Sequence, residues 1–160
     1  MSEASGEIYC LRVQLADGQL VIPRSCVAEV VAWQTPAEFM HAPSWCLGTI
    51  LWDGRPVPLV SFEALTGQPV PPASARARLV VLHGVSADLP GGALALVAQG
   101  FPQLLRASAD LLRTDPTRQF ADDSLVICQV RLLDEVSMVP DLPRLEARVS
   151  AGLPRQSSAG

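Results

Sequence analysis

The chain has 160 residues, 49% of them hydrophobic and only 18% charged, with a formal net charge of −4. That supply of core material suits one compact domain and excludes a wholly disordered chain. The acidic balance and 5% aromatic content also speak against nucleic acid, which needs a basic field and stacking rings.

Residues 1–6 are small, polar and acidic, lack an apolar signal core, and are expected to be a disordered N-terminus. Tyr9, Leu11, Val13 and Leu15 alternate with Arg12 and Gln14, the period of a half-buried strand. Asp17-Gly18 signals a hairpin, with residues 19–22 as the return strand. Residues 23–27 predict a helical bend and 28–33 another strand. Residues 34–45 hold two prolines and no period, so they predict a loop. Residues 48–65 are the most informative stretch. They read as an apolar strand, a tight Asp53-Gly54 turn, a second apolar strand, and a helical turn capped by Ser61. Residues 67–76 form the expected linker, since the three prolines of Gly67-Gln-Pro-Val-Pro-Pro-Ala-Ser74 cannot continue a sheet.

Residues 79–83 and 94–97 predict strands around a Gly/Pro turn near 90–92. Ser108 is expected to cap a short helix through Leu112 and Arg113. Residues 124–133 read as a long strand, Asp134-Glu135 as a turn, and 136–139 as a strand. Asp141 is placed to cap a terminal helix over 141–149, with Leu142, Leu145 and Val149 on one side. Residues 151–160 are expected to be a disordered tail. No apolar run approaches the ~18 residues of a membrane span, so a cytoplasmic protein without membrane insertion is expected.

An internal echo sets the architecture. Val57-Pro-Leu-Val-Ser-Phe-Glu-Ala-Leu65 aligns without gaps to Ser137-Met-Val-Pro-Asp-Leu-Pro-Arg-Leu145. Leu59 matches Val139, Ser61 matches Asp141, Phe62 matches Leu142 and Leu65 matches Leu145. Residues 18–31 run parallel to 92–105. The pattern predicts a mainly all-β chain of two small barrels, one over about 16–66 and one over about 77–140. The N-terminal strand is open to exchange between them. Barrels below ~80 residues are marginal alone, so a shared core is expected. Val30-Val31 and Leu104-Leu105 point to opposite faces of their strands. Either both faces are core, or one face of each pair lines an inter-barrel groove able to take a helix.

No catalytic residue, metal site or cofactor site is predicted. His41 and His83 have no ligand-type neighbours at metal spacing. The paired acids at 122–123 and 134–135 sit where solvated turns are expected. Cys10, Cys26, Cys46 and Cys128 contain no C-x-x-C pair and read as reduced thiols of a cytosolic protein. The rival to a binding module is a small cysteine-dependent enzyme or redox sensor using Cys46, with His41, or Cys26. Low charge favours the binding module, because it leaves apolar surface for partners to cover.

Several stretches, in order over residues 9–147, resemble the CheW-like adaptor family of bacterial chemosensory systems. Cys10-Leu-Arg-Val-Gln-Leu15 resembles the opening strand, and Val27-Ala-Glu-Val-Val31 the V-x-E-I segment. Leu47-Gly-Thr-Ile50 resembles K-G-V-x. Leu51-Trp-Asp-Gly-Arg-Pro-Val-Pro-Leu-Val-Ser-Phe62 resembles N-L-R-G-x-x-V-P-[IV]-[VI]-D-L. Val97-Ala-Gln-Gly-Phe101 resembles V-V-D-G-V, and Ser137-Met-Val-Pro-Asp-Leu142 the closing strand.

The resemblance implies two SH3-like five-stranded barrels around a shared core. It implies a non-enzymatic scaffold that couples chemoreceptor cytoplasmic tips to the regulatory domain of a sensor histidine kinase, in chemotaxis or twitching motility. It places the protein in the cytoplasm, recruited to receptor arrays. Carried over, the interaction surface is Val27, Glu29, Val30, Gly48, Trp52, Asp53, Gly54, Gly100 and Phe101. This chain departs from the family at Asp53, where the pattern has Arg, and at Leu51, Trp52, Ser61 and Gln99. A reversed charge at the turn is expected to change partner choice, by abolishing or by redirecting binding, because like charges opposed across an interface are costly.

Overall fold

The structure, a computed structural model, describes residues 7–154 apart from 39, 86–88, 109–112, 115–119 and 133–134. Strand β1 (Glu7–Gln14) turns back into β2 (Gln19–Pro23), with Leu15 N donating to Gly18 O at 2.9 Å. A 3-10 turn at Arg24–Cys26 supplies the expected bend into β3 (Val27–Ala32). Strands β4 (Cys46–Trp52) and β5 (Arg55–Val60) form the expected hairpin. Asp53 and Gly54 both have positive φ, 52° and 73°, as a type I′ turn requires.

Helix α1 (Phe62–Leu65) is capped by Ser61, whose Oγ accepts from Ala64 N at 3.2 Å. Then come β6 (Arg78–His83), β7 (Ala93–Ala98), β8 (Gln103–Ser108), β9 (Arg113–Thr114), β10 (Val126–Leu132) and β11 (Glu135–Pro140). Helix α2 (Leu142–Gly152) ends the described chain, and Asp141 caps it through Arg144 N at 3.1 Å.

Three expectations need correction. Ser108 is the last residue of β8, which takes the open edge of β1 with Glu7 opposite Ser108, and the helix expected after it falls mostly outside the described residues. Arg113 lies in β9, and 109–112 fall outside the described residues. Glu135 begins β11 opposite Leu132 rather than sitting in a turn. Helix α2 also runs past 149 to Gly152, where the lack of a side chain lets it pack against Trp45; an added Cβ would lie 2.5 Å from that ring. Residues 1–6 and 155–160 lie outside the described residues.

The strands form two sheets, in the orders β8-β1-β2-β11-β10-β9 and β3-β6-β7-β5-β4. Each curls into a small SH3-like barrel, here called barrel I and barrel II. Barrel I gains a sixth, two-residue strand, β9. The barrels are not consecutive in sequence. Hairpin β1–β2 joins the later strands β8–β11, while hairpin β6–β7 inserts between β3 and β5. Two whole hairpins are exchanged where one strand was expected. Residues 67–76 therefore join two repeats, not two barrels.

The repeats match residue by residue. Leu11 pairs with Ile22 and Leu104; its mate Val80 pairs with Leu96 and Val30. The bulge between Cys46 and Gly48 recurs between Val126 and Cys128.

The shared core lies between the barrels. Val13, Leu20 and Ile22 of barrel I pack with Val80, Leu82 and Leu96 of barrel II, and Phe62, Leu145 and Val149 of the helices join them. Each such side chain contributes roughly 1.5–3 kcal/mol on burial. A second cluster, including Ile50, Val57, Leu59 and Val81, fills barrel II. The open question about paired apolar residues resolves unequally. Val30 packs on the shared core and Val31 on the barrel II interior, whereas Leu104 is 55% exposed.

Candidate protein-interaction surface

Barrel II closes where the chain after β3 meets β4. Ala37 and Thr49 exchange backbone hydrogen bonds, both at 2.8 Å. One turn of chain earlier, the Gln34 side-chain amide takes the place of a strand. Its Nε2 donates to Leu51 O at 3.1 Å, and its Oε1 accepts from Leu51 N at 3.2 Å. Gly48 makes this closure possible. Its φ is +132°, and an added Cβ would stand 2.2 Å from Ala37 O. Gly48 is buried, so it shapes the surface without being part of it.

The mouth of barrel II is built on that closure. Trp52 Nε1 donates to Glu29 Oε1 at 3.0 Å, tying the β4–β5 hairpin to the edge strand β3. The Arg55 guanidinium stands 5.4 Å from the Trp52 ring centroid, a cation–π distance. Arg55 also lies 3.6 Å from the Asp53 carboxylate. Asp53 is thus no isolated reversal of charge, because a cation stands beside it two residues on. Leu51, 66% exposed, adds an apolar anchor on the outer face of β4. Glu29, Trp52, Asp53 and Gly54 therefore come together. Val27 and Val30 sit on the same strand but turn toward the shared core.

Gly100 and Phe101 fall elsewhere, between β7 and β8. Phe101 is 70% exposed, with the Arg78 guanidinium 5.8 Å from its ring centroid. Arg78 also pairs with Ala32 at the end of β3, and so links the two regions. Both residues border a polar cleft of about 310 Å³ that includes Arg12, Gln19 and Glu135. There Arg12 meets Glu135 at 2.5 Å and donates to Gln103. Phe101 is the mate of Val27; of the nine predicted residues, Glu29, Trp52, Asp53 and Gly54 meet at the barrel II mouth, Gly100 and Phe101 lie at this second cleft, Val27 and Val30 face the shared core, and Gly48 is buried.

Sequence reasoning missed Arg55 and Gln34. Arg55 was readable as the residue after a two-residue turn, but Gln34 gave no signal in its loop.

The Cys46 thiol does not support the enzyme reading, and Cys26 is half-buried against the shared core. Burial pushes the Cys10 and Cys46 thiols up, the reverse of an activated thiolate. Cys46 Sγ donates to Gly48 O at 3.9 Å, a local structural contact. His41 is exposed with a φ of 59°. No group of three or more metal-type ligands occurs among the described residues.

The sequence model of the CheW-like domain family matches residues 9–149. No curated protein matches the chain. Among solved structures, the fold is similar to the scaffolding protein TtCheW from Thermoanaerobacter tengcongensis, with a TM-score of 0.70 and 16% identity over 84% of each chain. No described helix is long and apolar enough to cross a membrane. With nearly its whole length matched, the chain belongs to the CheW-like domain family, a family of chemotaxis scaffold proteins.

Proposed function

We propose that this protein is a non-catalytic coupling adaptor that joins a chemoreceptor's cytoplasmic tip to the regulatory domain of a sensor histidine kinase. It works in the cytoplasm at a receptor array, in a chemotaxis or pilus-linked twitching-motility system. The observation that carries this reading is the family match over residues 9–149. The barrel II mouth supports it, because an exposed Leu51 beside a stacked Trp52–Arg55 pair is a common make-up for an interaction anchor. Glu29, Asp53 and Arg55 supply charges that select partners more than they add affinity. Phe101 offers a second anchor. Each interface is small, and multivalency in an array reinforces it.

The test is titration calorimetry with the receptor tip and the kinase regulatory domain encoded beside this protein. Stoichiometric binding with Kd on the order of 10–100 μM is expected for such interfaces. Leu51→Lys should weaken one of the two by about tenfold. Asp53→Arg should change the ratio of the two affinities. Binding to neither partner, with both shown folded, would sink the reading.

A further inference from the structure

The duplication gives the molecule two equivalent grooves, and among the described residues only one is covered. On barrel II the groove runs over Leu47, Val97 and Gln99, and the connector lies across it through Val70, Pro71 and Ala73. Ser74 fastens the connector there. Its N donates to Gln99 Oε1 at 2.9 Å and its Oγ to Gln99 O at 2.7 Å. A space of only about 30 Å³ remains.

The second groove is made of the mates of these residues. Ile127 corresponds to Leu47, Pro23 to Val97, Ser25 to Gln99 and Pro143 to Glu63. Among the described residues no connector lies across them, and a space of about 370 Å³ is open. That lies within the range of ligand pockets, about 300–1,000 Å³. The effect shows in single residues. Leu47 is half-buried under the connector, whereas Ile127 is 60% exposed and Val85 77% exposed. The carboxylate in this groove is committed, since Glu146 Oε2 accepts from Val85 N at 2.9 Å. The surface asks for an uncharged, apolar occupant.

We propose that this second groove binds an extended, proline-containing aliphatic segment of a partner protein, seated as Val70–Ser74 seats in the first. The molecule itself holds such a segment on the equivalent surface. Proline favours that occupant because a pre-extended chain loses little entropy on docking. The groove shares no residue with the barrel II mouth, so its failure would leave the adaptor reading untouched.

The experiment uses the full chain and an end-capped synthetic peptide of the connector sequence, Gly67-Gln-Pro-Val-Pro-Pro-Ala-Ser-Ala75. Methyl NMR of the protein reads the contact. Saturable shifts at Val85, Leu94, Ile127 and Leu142, absent with a control peptide whose valine and prolines are glycine, are the expected result. Ile127→Lys lies on the surface and leaves the fold intact; it should weaken binding about tenfold. No shift at millimolar peptide, or shifts only at Leu47 and Val97, would overturn the proposal. So would concentration-dependent shifts at the same methyls without peptide, which would make a second copy the occupant. Shifts on removing residues 155–160 would do the same by naming the chain's own tail.

Discussion

At Gly48 a single hydrogen atom decides whether barrel II closes. Any Cβ there would overlap Ala37 O at 2.2 Å, and the φ of +132° is strained for other residues. Gly48→Ala should therefore cost about 3 kcal/mol or more, read as a lower urea midpoint at unchanged slope. Any loss of partner binding should follow the loss of fold, because Gly48 itself is buried. The buried thiols make a second case. Burial raises the Cys10 and Cys46 pKa in the folded state. A thiol whose folded pKa is raised keeps its full contribution to stability below the unfolded pKa of about 8.5, and loses it as pH rises beyond. Stability should thus fall above about pH 8.5, and both thiols should resist iodoacetamide at neutral pH until denaturant is added. Mass spectrometry of the alkylated peptides checks this. A hyper-reactive Cys46 would revive the enzyme reading. Residues of this kind were only partly legible. Asp53-Gly54 declared its turn, since few residues tolerate two positive φ values in succession. Gln34 and the Trp52–Glu29 bond did not, because both are contacts across a barrel closure that no local pattern encodes.

The elements are held to each other by two carboxylates that do the same task from different positions. Glu63, on α1, accepts from Ala16 N at 2.9 Å and so reaches from the first repeat's helix to the β1–β2 hairpin of barrel I. Glu146, on α2, accepts from Val85 N at the same distance and reaches the β6–β7 hairpin of barrel II. Ala16 and Val85 are mates in the duplication, yet Glu63 and Glu146 are not; one lies in the first turn of its helix and the other in the second. Each clamp satisfies a backbone donor at the end of an exchanged strand. Glu63→Ala should cost about 1–3 kcal/mol, because it leaves that amide unpaired, while Glu63→Gln keeps an acceptor and loses less. Chemical denaturation of both variants distinguishes the bond from the bulk of the side chain. The elements themselves were legible: alternation placed the strands, and Ser61 and Asp141 marked the helix starts. The clamps were not, since a glutamate on a helix usually faces water. Nor was a polar flaw in β11. Ser137, the mate of core residue Val57, is buried with no hydrogen-bond partner for its Oγ.

For the whole molecule, the consequence of the exchange is that neither barrel belongs to one half of the sequence. Barrel I takes β1 and β2 from before the connector and β8–β11 from after it; barrel II takes β3–β5 from before and β6–β7 from after. The echo between residues 57–65 and 137–145 disclosed the duplication but not this exchange. A strand such as β1 is apolar on the core face whichever edge it meets, so local pattern cannot choose its partner. Long-range pairing decides it, and the repeated registers, Leu11 with Leu104 and Val80 with Val30, show the choice made twice. The two topologies predict different behaviour on cutting the connector. A specific protease site inserted at Ala75, exposed and outside any strand, allows cleavage of the folded chain. Consecutive barrels would leave two fragments joined only at a shared face, each keeping its own sheet. Exchanged hairpins leave fragments whose sheets exist only together. The cut protein should therefore co-elute as one particle with an unchanged β spectrum. It should unfold in a single transition whose Tm rises with protein concentration, as for any dimer of dependent halves. The intact chain should show no such dependence. Fragments that separate under native conditions, each retaining strand signal, would refute the exchange.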